Sequence, residues 1–239
     1  MYIYLIILFD ITFFINCSKE NKERLIIYRF NSKSISQESL FLVFTPRNEK
    51  KPSPVLYLLN GYGADAYNWS SGADLSTGAV EFEMYIVSIA AGTHPYVNDP
   101  IDTTKRYEDY VLEIIDLVDR SFNTFTDKEN RGIGGISMGG GGALYIAARH
   151  SDMFNSASAL SAGRINTVLS VADGLRGVKV MFDCGQQDQL LNDNRQLHDY
   201  LVQLGIPHIY NEYPGQHNWS YWAAHYWDHL SFHAYYFSR

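Results

Sequence analysis

The feature that most constrains this chain is a regular alternation of short apolar runs with segments of helical periodicity. The runs are rich in branched or aromatic residues and predict strands at residues 25–30, 40–45, 55–59, 84–88, 132–136, 156–160, 178–183 and 208–213. Apolar residues recur at helical spacing over 107–118 and 197–204, and residues 221–236 can form a closing helix. Strands that alternate with helices predict an α/β fold in which helices cover both faces of a mostly parallel central sheet.

Length and charge limit the classes of function that the chain can have. Its 239 residues suit a single domain, which we assign to residues 23–239, after a leader at residues 1–22. The net charge is −7 and no run of Lys or Arg occurs, which argues against nucleic acid or an anionic membrane as a partner. A neutral or small-molecule substrate fits better. Only Cys17 and Cys184 are present, so no disulfide framework is implied, and Cys184 follows an apolar run as a buried thiol would.

The leader predicts export to the periplasm, the cell surface or the medium. Residues 1–16 are almost entirely apolar, too short for a comfortable membrane span but suited to a secretory signal. The run ends at Asn16-Cys17, which resembles a bacterial lipoprotein junction and would place a lipid anchor on Cys17. Against this, no Lys or Arg precedes the run, Asn16 is larger than the usual small residue, and Asp10 interrupts it. The alternative is a terminal strand or helix packed on the domain.

A glycine-rich segment supplies the strongest chemical signal. The pattern Gly-x-Ser-x-Gly centred on Ser137 lies between a predicted strand and a predicted helix, the context of a nucleophile elbow. The serine at such a turn has a strained backbone, and side chains two residues before or after it would collide across the turn. Gly135 and Gly139 occupy those positions. The alternative is a glycine-rich phosphate-binding turn, but the Gly-Lys-Ser/Thr ending of a P-loop is missing.

A nucleophilic serine needs a base, and the base needs a carboxylate that fixes its tautomer. If the fold is that of an α/β-hydrolase, the acid and the histidine both follow the serine in the sequence, and the acid comes before the histidine. His217 lies in a turn just past the last predicted strand, and Asp188 lies in a loop beyond the preceding strand. Asp183 is a competing acid, but it is predicted to end its strand and to bind nearby backbone donors. Asp193 is the reserve candidate.

The chain has a second histidine cluster, which could suggest a metal site. His225, His229 and His233 share one face of the closing helix. We interpret them as a polar stripe on a terminal helix, and expect neither a metal nor a cofactor.

Attack on an ester carbonyl also requires two backbone N–H donors for the oxyanion. One donor is expected at Met138, directly after the nucleophile. The second is expected in the loop Asn60-Gly61-Tyr62-Gly63 after the third strand, with the Tyr62 N–H as the donor. The alternative for this segment is an ordinary turn.

Four ordered motifs together resemble one family of esterases. They are Asn60-Gly61-Tyr62-Gly63 with Trp69, Gly135-Ile136-Ser137-Met138-Gly139-Gly140, Asp183-Cys184-Gly185 with Asp188, and Pro214-Gly215-Gln216-His217-Asn218-Trp219 with Trp222. The family includes esterase D, tributyrin and acetyl esterases, feruloyl and acetyl xylan esterases and the mycolyltransferases. The bacterial tributyrin or acetyl esterases are the most similar group. The resemblance covers residues 23–236 and implies the α/β-hydrolase fold.

The resemblance also implies roles for individual residues. Ser137, Asp188 and His217 would form the catalytic triad, with Tyr62 and Met138 lining the oxyanion hole. The residues expected to contact substrate are Asn60, Gly61 and Trp219.

The chain departs from many relatives in two places. Asn60 stands where many have His, which should be tolerated because the backbone donates there. The connection between Ser161 and Gly177 has room for only one short helix, around residues 166–175, whereas relatives commonly carry a longer helical insertion over the acyl pocket. A reduced cap and a shallow, open site are therefore expected, with a preference for short acyl chains.

The function predicted from these residues is a serine carboxylic-ester hydrolase that removes short acyl groups, such as acetyl or feruloyl groups on carbohydrate, through an acyl-enzyme. Two alternatives remain open. One is an acyltransferase or thioesterase resembling S-formylglutathione hydrolase, and the other is a non-catalytic, surface-anchored binding protein. The sequence does not indicate an oligomeric state.

Overall fold

The computed structural model describes residues 24–237. The leader at residues 1–22, with Cys17, lies outside the described residues, so export and lipidation remain predictions. Eight strands form one sheet: β1 (Leu25–Ser32), β2 (Gln37–Phe44), β3 (Val55–Leu59), β4 (Tyr85–Ile89), β5 (Arg131–Ile136), β6 (Ser156–Leu160), β7 (Lys179–Gly185) and β8 (His208–Tyr213).

Seven α-helices connect or follow these strands within the described residues. They are α1 (Asn68–Gly72), α2 (Leu75–Glu81), α3 (Tyr107–Ser121), α4 (Met138–Arg149), α5 (Ile165–Leu169), α6 (Leu191–Gln203) and α7 (Trp219–Tyr236). Single 3-10 turns lie at Lys128–Asn130 and Ala172–Leu175. None of the helices between residues 24 and 237 combines the length and the hydropathy needed to cross a bilayer.

The sheet has the strand order β1-β2-β4-β3-β5-β6-β7-β8. The pairs β1–β2 and β2–β4 are antiparallel, and every pair from β4 to β8 is parallel. All eight predicted strands are confirmed, as is the α/β class. The largest error in the bounds concerns β2, which begins at Gln37, three residues before the predicted start, because its pairing with β1 extends to Ser32. Strand β7 continues two residues past Asp183 to Gly185 because its pairing with β8 extends to Tyr213.

Side chains of the central strands alternate between two apolar layers, as the pleat of a strand requires. On β3, Val55, Tyr57 and Leu59 pack into the layer that holds α3, α4 and α6. Leu56 and Leu58 pack into the opposite layer with α1, α2 and α7. The centre of the sheet is thus buried on both faces, which is why β3 and β4 read as nearly unbroken apolar runs rather than as alternating patterns.

Two helices, α1 and α2, were not predicted from the sequence. They are five and seven residues long and rich in Ser, Gly and Thr, so their helical periodicity is too short to detect. Trp69 and Leu75 anchor them in the apolar layer beside α7.

The predicted short helix between Ser161 and Gly177 is present as α5 followed by the 3-10 turn at Ala172–Leu175. Its apolar side chains, Ile165, Val168 and Leu175, are buried in the same layer as α4 and α6. The connection therefore packs onto the body of the domain.

Candidate active site

Ser137 lies at the sharp turn between β5 and α4. Its backbone has φ 53° and ψ −121°, a region that residues with side chains rarely adopt. Two hydrogen bonds hold it there: the Ser137 N–H donates to the Leu160 carbonyl at 2.9 Å, and the Gly163 N–H donates to the Ser137 carbonyl at 2.8 Å. The end of β6 and the loop beyond it thus fix the strained serine.

The glycines on either side of Ser137 are required for different reasons. A Cβ at Gly135 would overlap the Gly139 carbonyl group, which is the collision across the turn expected from the sequence. A Cβ at Gly139 would instead overlap the Leu59 carbonyl oxygen at the end of β3. Gly139 therefore allows α4 to start directly against the neighbouring strand.

Ser137, His217 and Asp188 form one chain of hydrogen bonds. The His217 Nε2 lies 2.8 Å from the Ser137 Oγ. The His217 Nδ1 lies 2.8 Å from Asp188 Oδ2 and 3.1 Å from Asp188 Oδ1. The structure thus joins three residues that are 29 and 80 positions apart in the sequence. This is the arrangement in which an imidazole can accept a serine proton while a carboxylate stabilises the resulting imidazolium.

Asp188 is held as a buried carboxylate. Its side chain is fully buried, and its Oδ1 accepts a hydrogen bond from the Leu190 N–H at 2.8 Å. Burial by itself raises the pKa of Asp188, but hydrogen bonds from His217, the Leu190 N–H and Ser161 outweigh it and leave the pKa below its ordinary value. Asp188 is therefore ionised at neutral pH, as an orienting carboxylate must be.

The loop that carries His217 is fixed at both ends. Before it, Gly215 lies so close to the end of β7 that a Cβ on Gly185 would overlap the Gly215 carbonyl. After it, the Asn218 side chain caps α7 by accepting a hydrogen bond from the Tyr221 N–H. The Trp222 ring meets the His217 ring edge to face at 5.1 Å. These contacts leave the His217 side chain 20% exposed and aimed at Ser137.

The start of α4 and the loop after β3 bring backbone N–H groups to the elbow. Met138 begins α4, so its N–H has no intrahelical acceptor. Gly61 packs against Ser137: a Cβ added to Gly61 would lie 3.6 Å from the Ser137 Cβ. Among the described residues, the Gly61 and Tyr62 N–H groups have no hydrogen-bond acceptor. By contrast, the Asn60 N–H donates to the Ile89 carbonyl at the end of β4, and the Gly63 N–H donates to the Gly92 carbonyl in the loop after β4.

The comparison with protein families rests on the same segments. The family model described as "Putative esterase" matches residues 32–232, which contain the elbow, the loop after β3 and the Asp188 and His217 loops. The chain belongs to this esterase family.

Individual relatives of this esterase agree with the assignment. An acetyl esterase of Caldicellulosiruptor saccharolyticus is 24% identical over 70% of the chain and 78% of its own length. An esterase of Mycobacterium tuberculosis is 25% identical over 83% of the chain. The match covers only 56% of the length of that esterase. A solved ferulic acid esterase superposes with a TM-score of 0.82 at 25% identity, covering 90% of this chain and 99% of the other. The esterase therefore has the α/β-hydrolase fold.

The predicted substrate-contacting residues of the esterase occupy three different positions. Gly61 borders Ser137, as described above. Trp219 is half-buried, its ring lies on Gly72, and it meets Trp69 and Trp222 edge to face at 5.8 and 5.6 Å. The Asn60 side chain, by contrast, is fully buried and donates to the Ser88 Oγ and the Ile89 carbonyl, both at 3.0 Å. The Asn60 side chain is therefore bonded to β4, and contact of Asn60 with substrate stays a prediction.

Of the competing acids, Asp183 has a different partner set from the one predicted. It lies inside β7, and its carboxylate accepts hydrogen bonds from the Tyr221 Oη and the His229 Nε2, both at 2.7 Å, rather than from backbone donors. Asp193 lies in the first turn of α6 and is exposed. Asp188 is the acid at hydrogen-bond distance from His217.

The three histidines of α7, interpreted from the sequence as a polar stripe, differ in their surroundings. His229 and His233 are buried, and the His233 ring lies between the Ser156 and Ser158 hydroxyls at 2.7 and 2.9 Å. His225 stacks on Tyr213 with ring centroids 4.4 Å apart. Within residues 24–237 no three His, Cys, Asp or Glu side chains are grouped so that they could hold a metal.

The structure confirms that Cys184 is a buried thiol. It also places near the site a residue that the sequence did not indicate, Ser161. Ser161 follows β6 with a positive φ of 50°, and its Oγ accepts a hydrogen bond from the Trp222 Nε1–H at 3.2 Å. No local pattern marks Ser161, because its partners lie far along the chain. Burial, followed by the nearby Asp188 charge, raises the pKa of the Cys184 thiol to about 12, so this thiol stays protonated at neutral pH and is not a nucleophile.

Proposed function

We propose that the protein is a serine carboxylic-ester hydrolase that works through an acyl-enzyme on Ser137 and prefers short acyl groups. The observation that carries the proposal is the continuous hydrogen-bonded chain from the Ser137 Oγ through His217 to the buried Asp188 carboxylate. Such a chain, placed on a strained strand-to-helix turn, is suited to nucleophilic attack and has no comparable role in a binding protein.

In the acylation half-reaction, the Ser137 Oγ attacks the ester carbonyl carbon while the His217 Nε2 takes the hydroxyl proton. The carbonyl oxygen becomes an oxyanion and accepts hydrogen bonds from the Met138 and Tyr62 N–H groups. When the tetrahedral intermediate collapses, the bond to the alcohol oxygen breaks and His217 gives its proton to that oxygen. Asp188 keeps the imidazole in the tautomer that accepts at Nε2 and stabilises it when charged.

Deacylation repeats these steps with water. His217 takes a proton from a water molecule, whose oxygen attacks the acyl carbon, and the Ser137 Oγ leaves with the proton returned by His217. The products are the carboxylic acid and the free serine. Because His217 is partly exposed while Asp188 is buried, water can reach the imidazole without reaching the carboxylate.

The acyl preference follows from the connection between Ser161 and Gly177. Ile165, Val168 and Leu175 of this connection are buried, and its partly buried Leu169 and Val171 also pack against the body of the domain, so these side chains do not form a roof over the serine. A roofed pocket would stabilise each buried methylene by about 0.8 kcal/mol. Without a roof, methylenes beyond the first few remain in water, so longer acyl chains gain little transition-state stabilisation.

The alcohol side of the ester is proposed to lie near Trp219 and Tyr62. Trp219 is two residues after His217, and Tyr62, in the loop beside Ser137, has 66% of its surface exposed. Partly exposed aromatic rings of this kind can pack against a sugar or a phenolic ring. The relatives that are named acetyl esterase and ferulic acid esterase support acetyl or hydroxycinnamoyl esters as candidates.

A single substrate panel tests the proposal. Specificity constants would be measured for nitrophenyl acetate, butyrate and octanoate, together with methyl ferulate and acetylated xylan. We expect the nitrophenyl series to peak between acetate and butyrate, and one of the natural-type esters to be cleaved. A steady rise to octanoate would contradict the open acyl site, and a folded protein inactive on every ester would contradict the hydrolase itself.

A further inference from the structure

The loop that carries the Gly61 and Tyr62 N–H groups is held by a buried network that has no place in the mechanism described above. The fully buried Asn60 side chain uses its amide nitrogen to bond both the Ser88 Oγ and the Ile89 carbonyl at 3.0 Å. Ser88 continues the network by donating its hydroxyl proton to the Ala66 carbonyl at 2.8 Å. The start of the loop is thereby joined to β4.

Tyr96 is the second part of the network. Its ring is 1% exposed, and its hydroxyl lies 3.0 Å from the Asn60 carbonyl and 3.1 Å from the Ile89 carbonyl. The Ile89 oxygen already accepts from the Asn60 backbone N–H at 2.9 Å and from the Asn60 side-chain amide, which occupies its two lone pairs. The single proton of Tyr96 is therefore best used on the Asn60 carbonyl.

The network leaves one polar atom of the Asn60 amide without a hydrogen bond, which is unfavourable in free energy. The Asn60 Oδ1 is buried and has no hydrogen-bond partner among the described residues. Turning the amide over would bring two oxygens together at Ile89, so the orientation with the unpaired Oδ1 is the better of the two. A buried acceptor left unpaired is rare in native proteins and calls for a compensating role.

Peptide planarity converts these bonds into the direction of the N–H groups. In a trans peptide, the carbonyl and the following N–H point in opposite directions. A bond from Tyr96 to the Asn60 carbonyl therefore sets the direction of the Gly61 N–H. In the same way, the Ala64 N–H, which donates to the Gly61 carbonyl at 3.3 Å, sets the direction of the Tyr62 N–H. Tyr96 thus controls the first of two linked peptides that face Ser137.

Two glycines of α4 leave room for this arrangement. A Cβ at Gly142 would lie 2.6 Å from the Tyr96 Cδ2, and a Cβ at Gly139 would lie 2.6 Å from the Asn60 carbonyl oxygen. The helix that begins at the nucleophile is therefore shaped to accept the Tyr96 ring and the carbonyl that Tyr96 holds. The glycine run after Ser137 serves the oxyanion loop as well as the elbow.

We propose that Tyr96 is a positioning residue of the oxyanion hole: its hydroxyl holds the Asn60 carbonyl and so fixes the Asn60–Gly61 peptide, and through it the linked Gly61–Tyr62 peptide whose N–H is the proposed oxyanion donor. The inference rests on the proposed serine-hydrolase function. Tyr96 does not touch substrate; it acts only through the loop. Its removal should weaken binding of the transition state and leave binding of the ground state nearly unchanged.

The test compares Tyr96→Phe with Tyr110→Phe in the full chain. Tyr110 is also fully buried in the same apolar layer, and its hydroxyl bonds Ser39 at 2.7 Å, away from the oxyanion loop. The measurements are kcat and KM for nitrophenyl butyrate, and the inhibition constants of an alkyl trifluoromethyl ketone and of butyrate. The ketone becomes a serine hemiketal with an oxyanion, whereas butyrate reports ground-state binding.

For Tyr96→Phe we expect kcat to fall by about tenfold, less than the 100-fold or more of losing a donor outright. The ketone inhibition constant should rise by a similar factor, while KM and the butyrate inhibition constant change less than about twofold. Tyr110→Phe should match wild type in all four constants. Equal kcat and ketone affinity in Tyr96→Phe and wild type would overturn the inference, as would equal losses in both variants.

A second variant keeps the inference testable if Tyr96→Phe does not fold. Gly142→Ala keeps the Tyr96 hydroxyl but pushes the ring, so it should lower kcat and ketone affinity together in the same direction. Unchanged constants in a folded Gly142→Ala protein would also count against the inference. Failure of the function itself has a separate signature, because wild type would then neither cleave nitrophenyl butyrate nor bind the ketone.

Discussion

Two aspartate–histidine pairs extend from β7, and only one of them reaches the Ser137 hydroxyl. Asp188, three residues past the end of the strand, meets His217 at 2.8 Å, and Asp183, inside the strand, meets His229 at 2.7 Å. The second pair is buried, with both side chains 4% exposed, whereas the His217 side chain is 20% exposed. The distances are nearly identical, so the bond between the partners does not distinguish the pairs.

The difference lies in the third group of each pair. The free nitrogen of His217 faces the Ser137 Oγ, so that pair can accept and return a proton. In the other pair, the second oxygen of Asp183 is occupied by the Tyr221 hydroxyl, and the result is a buried connection from β7 to α7. The comparison teaches that a carboxylate–imidazole pair becomes catalytic through what lies on its open side.

The largest expected effect comes from removing the hydroxyl that each pair faces. Ser137→Ala should lower kcat for nitrophenyl butyrate by about 10⁴-fold to 10⁶-fold, because the acyl-enzyme can no longer form. Tyr221→Phe, which removes the hydroxyl of the second pair, should retain kcat within about threefold in the folded protein. Near-normal turnover by folded Ser137→Ala would mean that another residue is the nucleophile.

Asp188→Asn should be the next largest loss, about 10⁴-fold in kcat, since the amide favours the wrong imidazole tautomer. Stability at pH 7 should change far less than activity. Steady-state kinetics and urea unfolding of the same preparation check both statements. The assignment of the acid would be overturned if Asp188→Asn kept full turnover.

Asp183→Asn should show the opposite balance. The Asn side chain has one acceptor oxygen where the carboxylate has two, so it leaves one of the two buried donors, Tyr221 or His229, without its acceptor, and the free energy of unfolding should fall by about 1–3 kcal/mol. Turnover per folded molecule should stay within a few-fold of wild type. Urea titration with activity measured below the transition tests this, and a stable Asp183→Asn protein without activity would show that the buried pair takes part in catalysis.

A third imidazole extends the comparison to pH. Burial, and then the neighbouring His229, hold the pKa of His233 well below its ordinary value of 6.5. Below pH 6.5 the unfolded chain binds a proton that folded His233 does not, so the free energy of unfolding should fall with decreasing pH, by up to about 1.4 kcal/mol per pH unit. His233→Gln should flatten this slope. Equal slopes in wild type and His233→Gln would contradict the prediction.

The smallest expected effect concerns the side chain that borders the active-site pair. Trp222 packs on His217 and donates its Nε1–H to Ser161. Trp222→Phe keeps an aromatic ring but loses a hydrogen bond worth about 1 kcal/mol, so kcat should fall about fivefold or less. Trp227→Phe, on the same helix but packed on Phe82, is the control and should leave kcat unchanged. A loss above 100-fold in Trp222→Phe would give Trp222 a larger role than its contacts indicate.

The sequence was sufficient to predict most of the fold, because apolar runs and helical periodicity are both patterns of residues that are close together in the chain. The central strands β3 and β4 are nearly continuous apolar runs, and these runs arise because the centre of the sheet is covered on both faces. Helices α1 and α2 were missed because five to seven residues give too little periodicity, and their apolar positions have meaning only beside α7.

The residues of the candidate site could also be predicted largely from patterns along the sequence. A strand, a serine flanked by Gly135 and Gly139, and a helix are contiguous, so the elbow is visible in the sequence. The order of an acid and a histidine on later loops follows from the chain direction of a parallel sheet.

What the sequence by itself determined is therefore the alternating architecture, the elbow at Ser137 and a short set of downstream candidates for its partners. Only the tertiary structure decided that Asp188 rather than Asp183 meets His217, that the Asn60 side chain faces β4, and that His229 and His233 are buried. Each of these depends on contacts between residues 28 to 77 positions apart. Local patterns cannot specify such contacts, because they arise from the way in which the sheet and its helices pack together.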